Sequence, residues 1–216
     1  MKILLPIIFC SCVLASTAQS LKSVNAVGVI MSTERISGKD VLKLIKDSTV
    51  KEADEPTFAK LKGVDFRNGT IEVKVLSRLT KDAPEFARGF IGVAFRISDD
   101  NSKFESIYIR PTNGRADDQV RRNHSIQYFS FPDYKFDRLR KEAPEKYESY
   151  ADMGLNEWIK MKIEVKGQQA RLFLNDNKQP SLIVNDLKLG DISGAIGLWV
   201  ETGTEGAFTD LKVSKE

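Results

Sequence analysis

"EWIKMKIEVKGQQARLFLND", residues 157–176, decides the fold class. Ile159, Met161, Ile163 and Val165 alternate with Lys160, Lys162, Glu164 and Lys166. After "KGQQ", Ala170, Leu172 and Leu174 alternate with Arg171 and Phe173. A period of two puts one apolar row on one face, the mark of a strand with a buried side. Two such runs across a short polar break form a hairpin. The same period recurs at Ile71, Val73 and Val75, at Ile91, Val93, Phe95 and Ile97, and at Ile196, Leu198 and Val200. "RNG", "SDDNS" and "NDNKQP" supply turns between the runs. Many short strands with polar turns predict an all-β antiparallel sandwich or barrel.

Two stretches break the pattern. "GKDVLKLIKDS" (38–48) fits either a short helical turn or an irregular strand, and "RLRKEAPEKYESYADMG" (138–154) holds Pro144 and reads as a loop with a helical turn. With no repeat, low-complexity segment or linker, residues 19–216 form a single domain.

The first residues read as an export signal. Met1-Lys2 gives a positive start, Ile3 to Leu14 is mostly apolar, and Ser16 and Ala18 suit cleavage after Ala18. That run is too short to span a bilayer, so no transmembrane segment is expected. Lipid anchoring at Cys10 or Cys12 is the rival reading. Export predicts a periplasmic or extracellular protein. Both cysteines lie in the signal, so the mature chain has neither disulfide nor thiolate chemistry. The 33 basic and 30 acidic side chains nearly balance, which argues against a nucleic-acid partner.

The succession "FRNGTIEV", "GFIGVAFR", "FESIYIRP", "EWIKMKIEVKGQQARLFLND", "GAIGLWV" and "AFTDLKV", roughly Phe66 to Val213, resembles the concanavalin A-like lectin/glucanase superfamily. Within it the chain most resembles the 3-keto-disaccharide hydrolase-like domains of secreted bacterial proteins. The resemblance implies a jelly roll of two curved antiparallel sheets, with carbohydrate bound or cut on the concave face. The Glu-x-Asp-x-x-Glu acids of the β-glucanase branch are missing, so no paired-carboxylate mechanism is assigned.

Alternation sorts the candidate site. With Ile107 and Ile109 facing the core, Tyr108 and Arg110 face the open side, where Arg96 is expected to join them. Guanidinium forks and a tyrosine ring suit sugar recognition. Pro111 holds Arg110 extended, so its fork is expected on a solvated face, where Arg110→Lys would weaken ligand binding with little effect on folding. Asn123, Gln127 and Tyr128 are expected at the end of the groove. Trp199 is read either as a stacking platform on the open face or as packing beneath a loop. Candidate bases are His124, Glu201 and Glu105; the last has core parity and needs a bulge to reach the groove. No multi-histidine metal site is available with one histidine, and a structural calcium at "SDDNS" or "NDN" is the only metal considered. No other cofactor is expected.

The connection inside Ile107–Pro132 carries Arg115, Asp117, Asp118, Arg121 and Arg122 and is expected to form a rim, held partly by its own Arg–Asp pairs. Residues 131–154 are expected to form the facing wall. These features predict a secreted carbohydrate-binding or carbohydrate-processing protein, with a 3-keto glycoside as the substrate implied by the resemblance. The alternative is a non-catalytic interaction module. An open trough with Arg96, Tyr108, Arg110 and Gln127 converging would favour sugar; a filled face would favour interaction.

Overall fold

The computed structural model describes residues 17, 18, 21 and 23–216, so the expected export signal lies outside the described residues except at Thr17–Ala18. Among the described residues fifteen strands, numbered in chain order, form two antiparallel sheets. The first runs β13 (Leu182–Val184), β12 (Gln169–Leu174), β11 (Ile159–Lys166), β6 (Gly69–Leu79), β15 (Thr204–Lys215), β4 (Lys39–Lys46), β3 (Val29–Ile36), with β1 (Thr17–Ala18) also paired to β15. The second runs β10 (Glu148–Ser149), β9 (Ile126–Phe131), β8 (Phe104–Ile109), β7 (Ile91–Ile97), β14 (Ala195–Val200), β5 (Phe58–Leu61), β2 (Val24–Val27). Of the sandwich or barrel that the alternation predicts this is the sandwich, and it is the jelly roll that the resemblance implies. Residues 39–46, left open between helix and strand, pair along β3 as a full strand. Among the described residues helix is confined to α1 (Gln119–Asn123), α2 (Phe136–Glu142) and a 3₁₀ turn at Pro111–Asn113.

The eight-stranded sheet shows the expected half-burial. Along β11, Ile159, Met161, Ile163 and Val165 are buried while Lys160, Lys162 and Glu164 are partly exposed. The seven-stranded sheet does not: every residue of β7 and β8 is buried. One of its faces meets the other sheet, because a Cβ added to Gly206 on β15 would lie 2.6 Å from Val200 and 2.9 Å from Ile91.

The opposite face is paved with rings. Phe104 stacks on Phe131 at 5.1 Å and meets Phe58 and Phe129 edge-on at 5.4 and 5.6 Å. Tyr108 lies 4.8 Å from Trp199 and 5.8 Å from Phe129. Small neighbours make room: a Cβ on Gly92 would sit 2.5 Å from Tyr108 Cα. Two segments cover the pavement. The 47–57 loop accepts the Trp199 indole N–H on Glu55 O (3.2 Å), and Lys135, just before α2, holds Glu55 (2.6 Å) and Ala53 O (3.0 Å). The face expected to be an open concave trough is therefore filled by its own side chains and closed by two connections.

Candidate functional site

What remains open is a cavity of about 350 Å³ at one end of this face. It lies between the 51–54 loop, residues 86–90, the β8–β9 connection and α2. Phe86, 62% exposed, stands among its lining residues, whereas Tyr108 and Arg110 beneath are buried.

Arg110 organises the floor. Its guanidinium donates to Tyr108 Oη (2.6 Å), Gln127 Oε1 (3.2 Å) and His124 O (3.1 Å), and lies 3.5 Å from Glu148 Oε1. Its plane approaches the Tyr108, Phe136 and Phe90 rings at 4.8, 5.8 and 6.0 Å. Glu148 also receives Arg140 through two nitrogens (3.0 and 2.5 Å), a bidentate pair. His124 Nδ1 lies 2.9 Å from Glu148 Oε2, though not aligned as a hydrogen bond. Burial is the largest influence on the His124 imidazole and lowers its pKa, against the raising effect of Glu148.

Two carboxyl groups line the cavity. Glu201 pairs with Lys46 and accepts from Asp54 N (3.0 Å), Thr202 N (2.6 Å) and Thr202 Oγ1 (2.7 Å). Asp54 adopts φ 55° and accepts the Phe136 N–H at 2.8 Å. Burial raises the Asp54 carboxyl to about 7, against the opposing effects of that N–H and of Arg110. The cavity thus combines a mostly neutral imidazole, a carboxyl that titrates near neutrality, several guanidinium groups and flat apolar rings. It can bind a polar ring compound and exchange a proton with it.

Of the residues expected from sequence, Tyr108, Arg110, His124 and Glu201 meet here. Arg110 is a correction in one respect. It is 5% exposed, and its fork is spent on protein partners instead of standing on a solvated face. Gln127 is buried beneath it, donating to Tyr128 O (2.8 Å). The others stand elsewhere. Arg96 is fully buried at the far end of β7, donating to Gly190 O, Arg67 O (2.9 Å) and Gly167 O (2.7 Å). A register shift opposite Ala195–Gly197 and φ 54° at Arg96 break the alternation that had placed it with Tyr108. Tyr128 and Glu105 lie on the inter-sheet side, hydrogen-bonded to each other, with Glu105 also accepting Leu189 N (2.7 Å); neither lines the cavity. Asn123 is exposed at the end of α1, accepting from Gln119 (2.8 Å). Trp199 is fully buried, so packing beneath a loop is its role.

The rim differs from expectation as well. Arg115 pairs with Asp152 (2.7 Å) and Glu157, not with Asp117 or Asp118, and Arg122 donates to Tyr150 (2.7 Å). Asp118 instead caps α1 through Arg121 N (2.8 Å). The two insertions are therefore tied to each other. At "SDDNS", Asp100 Oδ1 accepts from Ser98 Oγ, Ser102 Oγ and Ser102 N at 2.7, 2.7 and 3.0 Å. Sequence reasoning did not single out Asp54, Phe86 or Arg88, which come from segments without periodicity, nor Phe90 at the head of the β7 run; Phe136 and Arg140 lie within residues 131–154, the expected facing wall. "FARGF" (86–90), two aromatics about an arginine just before a strand, is the one available signal.

No family model and no curated protein matches the chain. Among solved structures it is similar to the carbohydrate-binding module CBM66 from Bacillus subtilis, at 15% identity and TM-score 0.55, covering 88% of this chain and 98% of that one. It is also similar to two candidate glycosyl hydrolases from Parabacteroides distasonis. One is 15% identical with TM-score 0.53 over 94% of this chain and all of the other; the second is 9% identical with TM-score 0.52 over 92% and 90%. At such identities the likeness establishes the fold alone: a jelly roll of two antiparallel sheets.

Proposed function

We propose that the protein is exported and binds carbohydrate in the cavity beside Tyr108 and Arg110. The observation that carries this reading is the meeting of Phe86, Phe90 and Phe136 with guanidinium groups around about 350 Å³. That volume is at the lower end of the roughly 300–1,000 Å³ usual for small-ligand sites. A sugar ring presents C–H groups to an aromatic face and hydroxyls to fixed donors. The structural neighbours named as a carbohydrate-binding module and as candidate glycosyl hydrolases support it. Calorimetric titration with a panel of oligosaccharides tests it. Phe86→Ala is expected to weaken any binding by about tenfold, about 1.4 kcal/mol. Because Phe86 is exposed, the melting temperature should not move. Silence across the panel would refute the reading.

The finer reading is that the ligand is a 3-keto glycoside. Its keto group acidifies the adjacent C–H, so a modest base can take that proton while a proton donor protonates the departing glycosidic oxygen as the C–O bond breaks. His124, with Glu148 beside it, is the base in this reading, since Glu201, the other candidate base lining the cavity, is paired with Lys46. Incubation with 3-keto and ordinary glycosides, following product release, tests this; equal inactivity on both leaves binding alone. A second reading, a non-catalytic interaction module, is favoured by the ring-filled face, which offers no long trough to a polysaccharide chain.

A further inference from the structure

Five cations line the cavity: Lys51, Arg88, Arg110, Arg121 and Arg140. Only two carboxyl groups face them, and both are already engaged. Glu201 is paired with Lys46, and Asp54 is held largely uncharged by burial below pH 7. Arg140 and Arg110 have Glu148. Lys51 donates to Ser48 O at 2.5 Å.

Like Lys51, and unlike the other two guanidinium groups, Arg88 and Arg121 stand apart from Glu148. Among the described residues neither forms an ion pair. Arg88 donates only to the carbonyls of Glu85 (2.5 Å) and Ala87 (2.9 Å), and Arg121 reaches Asn113 Oδ1 at 3.5 Å. They come from different segments, the approach to β7 and helix α1, yet the fold brings both to this cavity, near enough for their charges to interact. They repel: after burial, the Arg121 charge is the largest influence depressing the Arg88 pKa. Arg88 is half-buried and Arg121 exposed, and of the carboxylates only Glu85, not aligned as an ion pair, acts favourably on Arg88, so two like charges facing one cavity leave room for an anion. The hollow beside Trp158 makes the contrast. There Lys39 and Lys74 share Asp210, and Lys160 has Glu72 and Asp176.

We infer that the cavity takes a saccharide bearing an anionic group, a carboxylate or a sulfate ester, which Arg88 and Arg121 bind while the sugar ring lies against Phe86. Two guanidinium forks from separate segments match two oxygens of one anion, and such charge-assisted bonds are roughly twice as strong as neutral ones. The inference rests on the cavity being the carbohydrate site and specifies the ligand class.

The test is calorimetric titration with matched pairs: trigalacturonate against its methyl ester, and a heparin-derived disaccharide against its desulfated form. The acidic member of at least one pair is expected to bind about tenfold or more tighter than its neutral partner, with the preference shrinking between about 50 and about 300 mM NaCl. The pair that responds identifies the anion. Arg88→Gln with Arg121→Gln should reduce the preference to within about twofold, while the double lysine variant, which keeps charge but loses the fork, should retain part of it. Neutral partners that bind as tightly as acidic ones, with Phe86→Ala still weakening them, would overturn the anionic ligand and leave the carbohydrate site standing. Failure of every saccharide, charged or neutral, would overturn both.

Discussion

Asp54 Oδ2 accepts the backbone N–H of Phe136 at 2.8 Å, so a residue of the 47–57 loop caps the first turn of α2. The carboxyl sits at about 7 because burial disfavours its charge. The folded protein therefore keeps a proton that the unfolded chain releases near 3.8. This contribution to stability is complete below about pH 4 and is lost as pH rises through about 7. Asn at this position tolerates the positive φ and still accepts the N–H. Asp54→Asn is expected to flatten the fall in melting temperature between about pH 5 and pH 8 and to be the more stable form at the upper end. The bound is about 4 kcal/mol, at about 1.4 kcal/mol per pK unit. Parallel scanning-calorimetry profiles for the two proteins would rule this out.

Arg110→Lys is expected to destabilise strongly. The lysine keeps the charge but cannot reach Tyr108 Oη, Gln127 Oε1 and His124 O together, and buried acceptors lose their donors. A cost of about 2–4 kcal/mol follows from breaking a buried charge network, or roughly 5–15 °C in melting temperature. A melting temperature within about 2 °C of the parent would show the network to be dispensable.

The fold was legible because half-buried strands write their geometry into a period of two. The 157–176 hairpin pairs as the alternation implies, Ile163 opposite Leu172. The site was legible only where it continues a strand. Tyr108 and Arg110 follow from the parity of β8, and His124 stands out as the sole histidine. Arg96 failed because one bulge residue overturns parity, and nothing in "GVAFRIS" marks a bulge. Trp199 took the second of its two readings because a sheet covered on both faces has no solvated side, whereas Tyr128, opposite Ile107, has core parity and was misplaced beside Gln127. Asp54 had no signal at all: its position depends on a contact 82 residues away.

The proton NMR spectrum should contain one imidazole set, since His124 is the only histidine. Its titration midpoint is expected below 6.5, because burial outweighs the Glu148 carboxylate beside it. The contribution to stability is therefore present above 6.5 and is lost as pH falls through the folded midpoint, opposite in sign to that of Asp54. Arg140 also lowers His124 and neutralises Glu148. Arg140→Gln should accordingly raise the midpoint. A midpoint that stays put or falls would mean that the Glu148–Arg140 pair does not govern this imidazole.

Trp199 offers a direct reading of the filled face. It is fully buried, packed between Tyr108 and Phe129 and hydrogen-bonded to the 47–57 loop, whereas Trp158 is partly exposed. In a Trp158→Phe background the remaining emission should be blue-shifted and resist quenching by acrylamide. Trp199→Ala should cost about 3–5 kcal/mol, the usual consequence of emptying a large aromatic site in a packed core. Saccharide binding in the cavity should leave the quenching of Trp199 unchanged, because the ligand meets Phe86, Phe90 and Phe136 and not the indole. Were the indole readily quenched, or protected only when sugar is added, the 47–57 loop would have to open over the rings, and the paved face would itself be the binding surface.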